Sequence, residues 1–366
     1  MSRIDLVFLE RALALAEKGR CTVPPNPMVG AVIVRSGRVM AEAFHRRAGG
    51  PHAEVTALAR AGARARGADL YLTLEPCAHF GRTPPCAPAV IAAGIRRVVV
   101  ASRDPNPLVA GRGLSALRRA GIEVVLAPPG LRRRAEEQNE KFLAAIARRR
   151  PFVLAKWAAS LDGRIATASG ESRWITGERA RRRGLLLREE YDAVLVGAGT
   201  VLADDPRLTR RLGKAGGRAH WRIVLDGRLR TPPEARVFRG PGERLVVTAV
   251  PADAPGARRL ARRGVRVWSL PGRRRGTVDL ARFLDALYRE GVTSLMVEGG
   301  GATLGAFFDA GLVDRIAAFL APRVLGGRDA PPAIDGTGFG LRRSPVLRGA
   351  QFERFGEDLL VTGRLA

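Results

Sequence analysis

His52-Ala53-Glu54, Pro76-Cys77 and Pro85-Cys86 are the residues of this sequence whose types and order could do chemistry. One imidazole and two thiolates suit a borderline-soft cation such as zinc. Structural zinc usually takes four protein ligands, whereas catalytic zinc keeps one position for water. His52, Cys77 and Cys86 supply three, so the expected site is open. Glu54, two residues beyond the ligand His52, need not touch the metal. It can take a proton from the water in the open position and hand it to a substrate nitrogen. His-x-Glu followed by Pro-Cys and a second Cys is the pattern of zinc-dependent base deaminases. The bland alternative is a helix-start histidine beside two small buried thiols. Against it, three of the four histidines (45, 52 and 79) share one short window with both cysteines. Cys21 has no motif partner and reads as a packed thiol.

The elements that must position these residues follow from periodicity. Leu6, Leu9, Leu13 and Ala16 lie on one face of a helix over 4–17, stopped by Gly19. Segments 31–34 and 39–43 alternate around Ser36-Gly37 as a β-hairpin. An Ala/Leu-rich helix over 53–65 opens at Pro51-His52, and strand 70–74 runs straight into Glu75-Pro76-Cys77. Helix 88–93, strand 98–101, helix 114–120 and strand 124–127 complete an α/β sandwich on a mixed sheet. Residues 131–150 read as helical and heavily charged, and Pro151 ends them. The domain boundary is therefore expected near 147–151. A second α/β series follows, with strands at 152–158, 193–197, 222–226, 244–249, 265–269, 294–298, 315–320 and 358–364. Its helices are expected at 178–190, 278–290 and 303–310. Stretches 212–219, 228–243 and 251–258, rich in Pro, Gly and Arg, read as surface loops.

A length of 366 residues fits two such domains. Hydrophobic residues make up 46%, enough for sizeable cores, and no run is long enough to span a membrane. The start Met1-Ser2-Arg3-Ile4-Asp5 has no apolar signal core behind it. Three cysteines argue against a disulfide scaffold and for a reducing compartment. A soluble, cytoplasmic protein is the expectation. The formal net charge is +27, and all but four of the 62 basic residues are arginine. They are scattered rather than gathered with aromatics, so composition bias explains them better than a nucleic-acid surface. A positive field would still attract phosphorylated small molecules.

With these motifs in place, the sequence resembles the bifunctional riboflavin-biosynthesis deaminase/reductase family of bacteria over nearly its whole length. Pro25-Asn26-Pro27-Met28-Val29-Gly30 is similar to that family's Asn-Pro-x-Val-Gly loop. Gly50-Pro51-His52-Ala53-Glu54 resembles its zinc and proton-shuttle motif. The segment from Leu74 to Cys86, with eight residues between the cysteines, resembles its second motif rather than the Cys-x-x-Cys of many other deaminases. The resemblance implies a cytidine-deaminase-like three-layer α/β domain over 1–148 and a dihydrofolate-reductase-like α/β domain over 149–366. It implies one Zn2+ in the first domain and NADPH in the second. The implied first reaction is hydrolysis of the 2-amino group of 2,5-diamino-6-(5-phosphoribosylamino)pyrimidin-4(3H)-one. The implied second reaction reduces the ribosyl side chain of 5-amino-6-(5-phosphoribosylamino)uracil to ribityl. Asn26 would hold the pyrimidine, and His45, His79, Arg82, Asp104 and Asn106 would line the ribose-phosphate end. Arg82 stands where the family often has Lys, and either can meet a phosphate. The resemblance also implies a homo-oligomer with small-molecule partners and no nucleic acid.

Read bare, the second domain says less. Its best feature is Val297-Glu298-Gly299-Gly300-Gly301, a strand ending in glycines before a helix, where backbone and helix start could approach an anion. By resemblance, Ala158, Trp174, Thr200, Asp204, Gly299, Gly300, Gly301, Ala302, Thr303, Leu304 and Gly305 would contact the cofactor. Ser172, Arg188, Leu208, Arg211 and Glu298 would contact the substrate. Gly227 departs from a family position that is often Ser, which would remove one cofactor hydrogen bond. No proton donor for the reduction is legible. Two other readings compete. A nucleic-acid base deaminase would share the zinc motif and use the +27 charge, but the cysteine spacing and second domain argue against it. An arginine-rich binding protein with structural zinc would need a fourth ligand, and none is as well placed as the three named.

Overall fold

Leu9, Ala12, Leu13 and Ala16 are the buried stripe of α1 (Arg3–Glu17), as their three- and four-residue spacing requires. The protein is described by a computed structural model over residues 3–78, 84–106, 110–216 and 220–365. By its contacts the chain divides into two units, Met1–Arg149 and Arg150–Ala366.

In the first unit, β1 (Gly30–Arg35) and β2 (Arg38–Phe44) form the hairpin turned by Ser36-Gly37. Then come α2 (Ala53–Ala61), β3 (Asp69–Leu74), α3 (Cys86–Ala92), β4 (Arg97–Ser102), α4 (Arg112–Arg119) and β5 (Glu123–Leu126). Among the described residues the strands form one sheet in the order β2-β1-β3-β4-β5. β1 runs antiparallel to β2 and β3, and β3, β4 and β5 run parallel. Alternate residues face opposite sides. Ile33, Leu70, Leu72, Val98 and Val100 pack with α2, α3 and α4. Val32, Val34, Tyr71 and Val99 pack with α1 and with α5 (Pro129–Gln138) on the other face. The result is the three-layer α/β domain expected.

The helical reading of 131–150 holds with one break. α5 stops at Asn139, and α6 (Glu140–Arg148) begins after it. The Asn139 side chain accepts from Met28 N–H at 2.7 Å and donates to Met28 O at 2.9 Å. A buried amide that bridges another segment's backbone takes the place of helical continuity there.

The second unit runs β6 (Phe152–Ser160), α7 (Glu178–Glu190), β7 (Ala193–Gly197), α8 (Ala198–Asp204), β8 (Trp221–Leu225) and β9 (Glu243–Thr248). It continues with α9 (Pro255–Arg262), β10 (Arg266–Ser269), α10 (Leu280–Arg289), β11 (Ser294–Val297), α11 (Gly301–Asp309) and β12 (Arg315–Ala321). It closes with β13 (Leu347–Phe355) and β14 (Asp358–Leu365). The sheet order is β10-β9-β8-β7-β11-β6-β12-β14-β13, parallel from β10 to β12 and antiparallel at β14 and β13. Val153, Leu195, Ile223, Leu245 and Leu295 form one apolar face under α10 and α11. The expected loop at 251–258 needs correction: Pro255 begins α9, which buries Ala257 and Leu260. Proline is tolerated at a first helical position because that N–H needs no partner.

Candidate active sites

The expected ligands converge from three elements of the first unit. His52 is the residue just before α2, Cys86 is the first residue of α3, and Cys77 follows β3 by way of Glu75-Pro76. His52 Nδ1 lies 3.1 Å from Cys86 Sγ and 3.6 Å from Cys77 Sγ. All three donor atoms fall within 4.8 Å of one another, a separation that metal–ligand bonds of about 2.0–2.3 Å can bridge. Among the described residues, no fourth ligand joins this group. The protonation pattern is that of a cluster holding protons where a cation belongs. Cys77 is pulled down to about 4, chiefly by the Cys86 thiol and then by His52. Cys86 is pushed up by sharing its proton with Cys77 and by burial. His52 is raised, chiefly by its hydrogen bond with Cys77. Metal binding replaces such protons.

Glu54 sits in the first turn of α2, 3% exposed, and its Oε2 has no hydrogen-bond partner. Burial raises its carboxyl group. A buried, unpartnered carboxylate oxygen beside three soft ligands fits an open zinc site, because the water of that site would satisfy it. Glu54 shares a cavity of about 60 Å³ with Asn26, His45, His52, Cys77 and Asp104, which is room for an ion and one or two waters.

His45 orients Asn26. The His45 ring donates from Nδ1 to Pro51 O at 3.1 Å, and Asn26 Nδ2 donates to its Nε2 at 3.1 Å. Acceptance at Nε2 needs the neutral imidazole, and burial lowers His45 accordingly, although the bond to Pro51 O pulls the other way. With its amino group so used, Asn26 keeps Oδ1 to accept from a ligand N–H. Asp104 is buried, its Oδ1 accepting from Asn106 N–H at 2.9 Å. His79 and Arg82 lie outside the described residues.

Glu75 lies between β3 and Cys77. Its buried carboxylate accepts from the backbone N–H groups of Gly111 and Gly113 at 3.1 Å, Leu114 at 3.3 Å and Asp104 at 3.4 Å. It thus satisfies the open N-terminus of α4 and ties Asp104 to the chain leading into Cys77. Gly113 allows the close approach: a Cβ there would fall 1.9 Å from Pro76 O. Gly113→Ala is expected to displace the Pro76-Cys77 backbone and to cost about 1–3 kcal/mol. Thermal unfolding and zinc retained against a competing chelator measure it, and an unchanged value of both would mean that the loop has slack.

In the second unit a charged cluster forms at the carboxyl end of β11, beside the middle of β6. Arg188 of α7 donates to Glu298 through Nε at 2.6 Å and Nη2 at 2.9 Å. Lys156 Nζ stands 3.6 Å from Glu298 Oε2. Burial would raise the Glu298 carboxyl, but the charges of Arg188 and Lys156 outweigh it and hold it at about 2. Arg211 is lowered by burial and by crowding against Arg188, Arg207 and Arg236, so the surroundings favour an anion. Lys156 was missed as a site residue. Its signal was rarity, being one of four lysines, set within an apolar strand.

Two turns at the ends of neighbouring strands complete the picture. β7 ends at Gly197, where α8 begins with Ala198-Gly199, and β11 leads through Gly299-Gly300 into Gly301 of α11; Gly300 N–H donates to Thr200 Oγ1 at 3.1 Å. Ser172 Oγ donates to Asp204 Oδ1 at 3.3 Å, next to the exposed Trp174, whose ring lies 4.5 Å from the Arg181 guanidinium. Ala158 is half-buried on β6 and Ala302 is exposed. Thr303, Leu304 and Gly305 are buried, with Leu304 in the core and Gly305 against Asp335. The Leu208 side chain is also buried, and its carbonyl accepts from His220 Nε2 at 3.0 Å. Among the described residues, no helix is long and apolar enough to cross a membrane.

The family model of the cytidine and deoxycytidylate deaminase zinc-binding region matches residues 2–102, and that of the RibD C-terminal domain matches 151–361. The riboflavin biosynthesis protein RibD of Aquifex aeolicus is 42% identical over 364 residues, 98% of each chain. That of Escherichia coli strain K12 is 44% identical, covering 88% of this chain and 89% of its own. Among solved structures, RibD of Acinetobacter baumannii superposes with a TM-score of 0.88 at 37% identity, covering 100% of this chain and 99% of its own. The diaminohydroxyphosphoribosylaminopyrimidine deaminase/5-amino-6-(5-phosphoribosylamino)uracil reductase of Thermotoga maritima does so at 0.86 and 36%, covering 99% of each chain.

Proposed function

Because the chain belongs to the RibD family of bifunctional riboflavin-biosynthesis enzymes, we propose that it carries out both of that family's reactions, each in its own half. Residues 1–148 remove the 2-amino group of 2,5-diamino-6-(5-phosphoribosylamino)pyrimidin-4(3H)-one as ammonia. Residues 149–366 use NADPH to reduce the ribosyl chain of the resulting uracil to ribityl. The observation that supports this best is the group of His52, Cys77 and Cys86 beside the unpartnered Glu54 oxygen.

Zinc, when bound by those three residues, supplies a Lewis acid that activates water near neutral pH. Glu54, with Oε2 free beside that position, would accept a proton there and deliver it to the departing nitrogen. Asn26 holds the pyrimidine through Oδ1, and His45 keeps its amide the right way round. Asp104, Asn106, His79 and Arg82 hold the ribose phosphate. In the reductase half NADPH supplies the hydride. Gly299 to Gly305, Ala158, Trp174, Thr200 and Asp204 hold it, and Ser172, Arg188, Leu208, Arg211 and Glu298 hold the sugar phosphate. Arg188 is bidentate to Glu298 and cannot release a proton. Glu298 is already ionised. Lys156 is therefore the member of the cluster able to donate the proton that the sugar's ring oxygen would take as its bond to C1′ breaks. We place the enzyme in the cytoplasm as a homo-oligomer, which light scattering tests.

The two half-reactions measured separately, with and without a zinc chelator, test the reading. Ammonia release is expected to stop with the chelator while NADPH oxidation on the deaminated product continues. A zinc-loaded chain that releases no ammonia would sink the deaminase half.

A further inference from the structure

The strand order fixes which half of a dinucleotide lies where, once the reductase reading is granted. β7 and β11 are neighbours, and their glycine turns are joined through Gly300 and Thr200. In an open parallel sheet, ligands sit outside the carboxyl ends of the strands, so these turns are where the pyrophosphate can approach the backbone. Lys156 and Glu298 stand on the β6 side of that pair. The reacting end of the cofactor belongs there. The adenosine end must run the other way, across the ends of β8 and β9, which lie one and two strand spacings from β7, or about 5 and 10 Å.

At that edge the chain builds a small hairpin that no motif had singled out. Pro271 and Val278 pair as an antiparallel bridge, and Gly272 N–H donates to Thr277 O at 2.8 Å. Thr277 donates to Arg274 O from its N–H at 3.1 Å and its hydroxyl at 2.6 Å. The tip is Arg273-Arg274-Arg275. All three are exposed, and among the described residues none stands in an ion pair.

The hairpin rests directly on the end of β8. A Cβ at Gly227 would fall 2.0 Å from Gly276 O, and a Cβ at Gly276 would fall 3.1 Å from Arg228 Nε. The space of a side chain at 227 is thus filled by the hairpin's own backbone, and Arg228 flanks it. A hydroxyl at 227, which the family often carries, is excluded, so a phosphate contact from that place must come from neighbouring groups. Arginine forks are the donors best matched to a phosphate dianion.

We propose that the Arg273-Arg274-Arg275 hairpin, with Arg228 beside it, recognises the 2′-phosphate that distinguishes NADPH from NADH. The proposal rests on the reductase reading above, and the experiment separates the two. NADPH, NADH, adenosine 2′,5′-bisphosphate and AMP are titrated calorimetrically into the full zinc-loaded chain and into its R273S/R274S/R275S variant. The variant is expected to bind NADPH and the bisphosphate about ten- to a hundredfold more weakly, with NADH and AMP unchanged. Its salt dependence for NADPH should flatten as well. Equal losses for NADPH and NADH, or no loss, would overturn the proposal alone. A wild-type chain that binds neither dinucleotide would overturn the reductase reading and the proposal with it. Zinc content and thermal midpoint check that the variant is folded. If the triple variant unfolds, the three single Arg→Ser variants carry the same test through the NADPH-to-NADH ratio.

Discussion

Glu54→Gln is expected to keep one zinc per chain and to release ammonia about 10²–10⁴-fold more slowly, with NADPH oxidation by the second half unchanged. Glutamine has the size of glutamate and fits the same buried place in the first turn of α2. It cannot accept and return a proton. Glu54 makes no claim on the metal in this reading, because His52, Cys77 and Cys86 already form a compact ligand set without it. Zinc measured by atomic absorption should therefore not fall. Burial with no partner on Oε2 disfavours the charged carboxylate and outweighs the helix N-terminus, so the neutral variant should unfold no earlier than wild type. Turnover lost together with zinc would make Glu54 a positioning residue. Turnover kept would remove it from the chemistry.

The metal site was legible because its parts are short and contiguous, and each sits where a strand or helix begins or ends. What completes the site was not legible, for a physical reason. Glu75 meets backbone N–H groups of residues 104 and 111–114, and Asn139 meets the backbone of Met28. Neither partnership leaves a trace in local periodicity, since backbone groups carry no sequence identity. Asn139 also splits what charge and spacing read as one helical stretch. In the second unit two of the elements absent from the sequence reading, β13 and α9, lack an apolar stripe. β13 is an edge strand whose residues 348–354 are all exposed, so it shows no alternation. α9 buries only Ala257 and Leu260 among arginines. Lys156 hid for the opposite reason. It lies in an apolar strand that reads as core, and only the parallel pairing of β6 with β11 brings it level with Glu298.

That juxtaposition carries the second large effect. Lys156→Met is expected to slow NADPH oxidation on the uracil substrate by about 10²–10⁴-fold, with NADPH affinity and ammonia release unchanged. Methionine matches the lysine side chain as far as Cε but loses the charge that lies 5.7 Å from the Phe319 ring centroid and has no proton to give. The fold should tolerate the change, because Glu298 keeps its bidentate partner Arg188. Glu298→Gln is the contrasting case. It leaves Arg188 and Lys156 facing each other without their anion, a loss of about 3–5 kcal/mol for a buried pair broken on one side. The sign with pH is fixed. The Glu298 carboxyl is held at about 2, below the ordinary 4.5, so its stabilisation is complete above the ordinary value and vanishes as pH falls through the lower one. Wild type and Glu298→Gln should therefore converge in stability only between those two values. A Lys156→Met chain that still reduces its substrate at the wild-type rate would remove Lys156 as the proton donor. One that loses NADPH binding would move Lys156 to the cofactor.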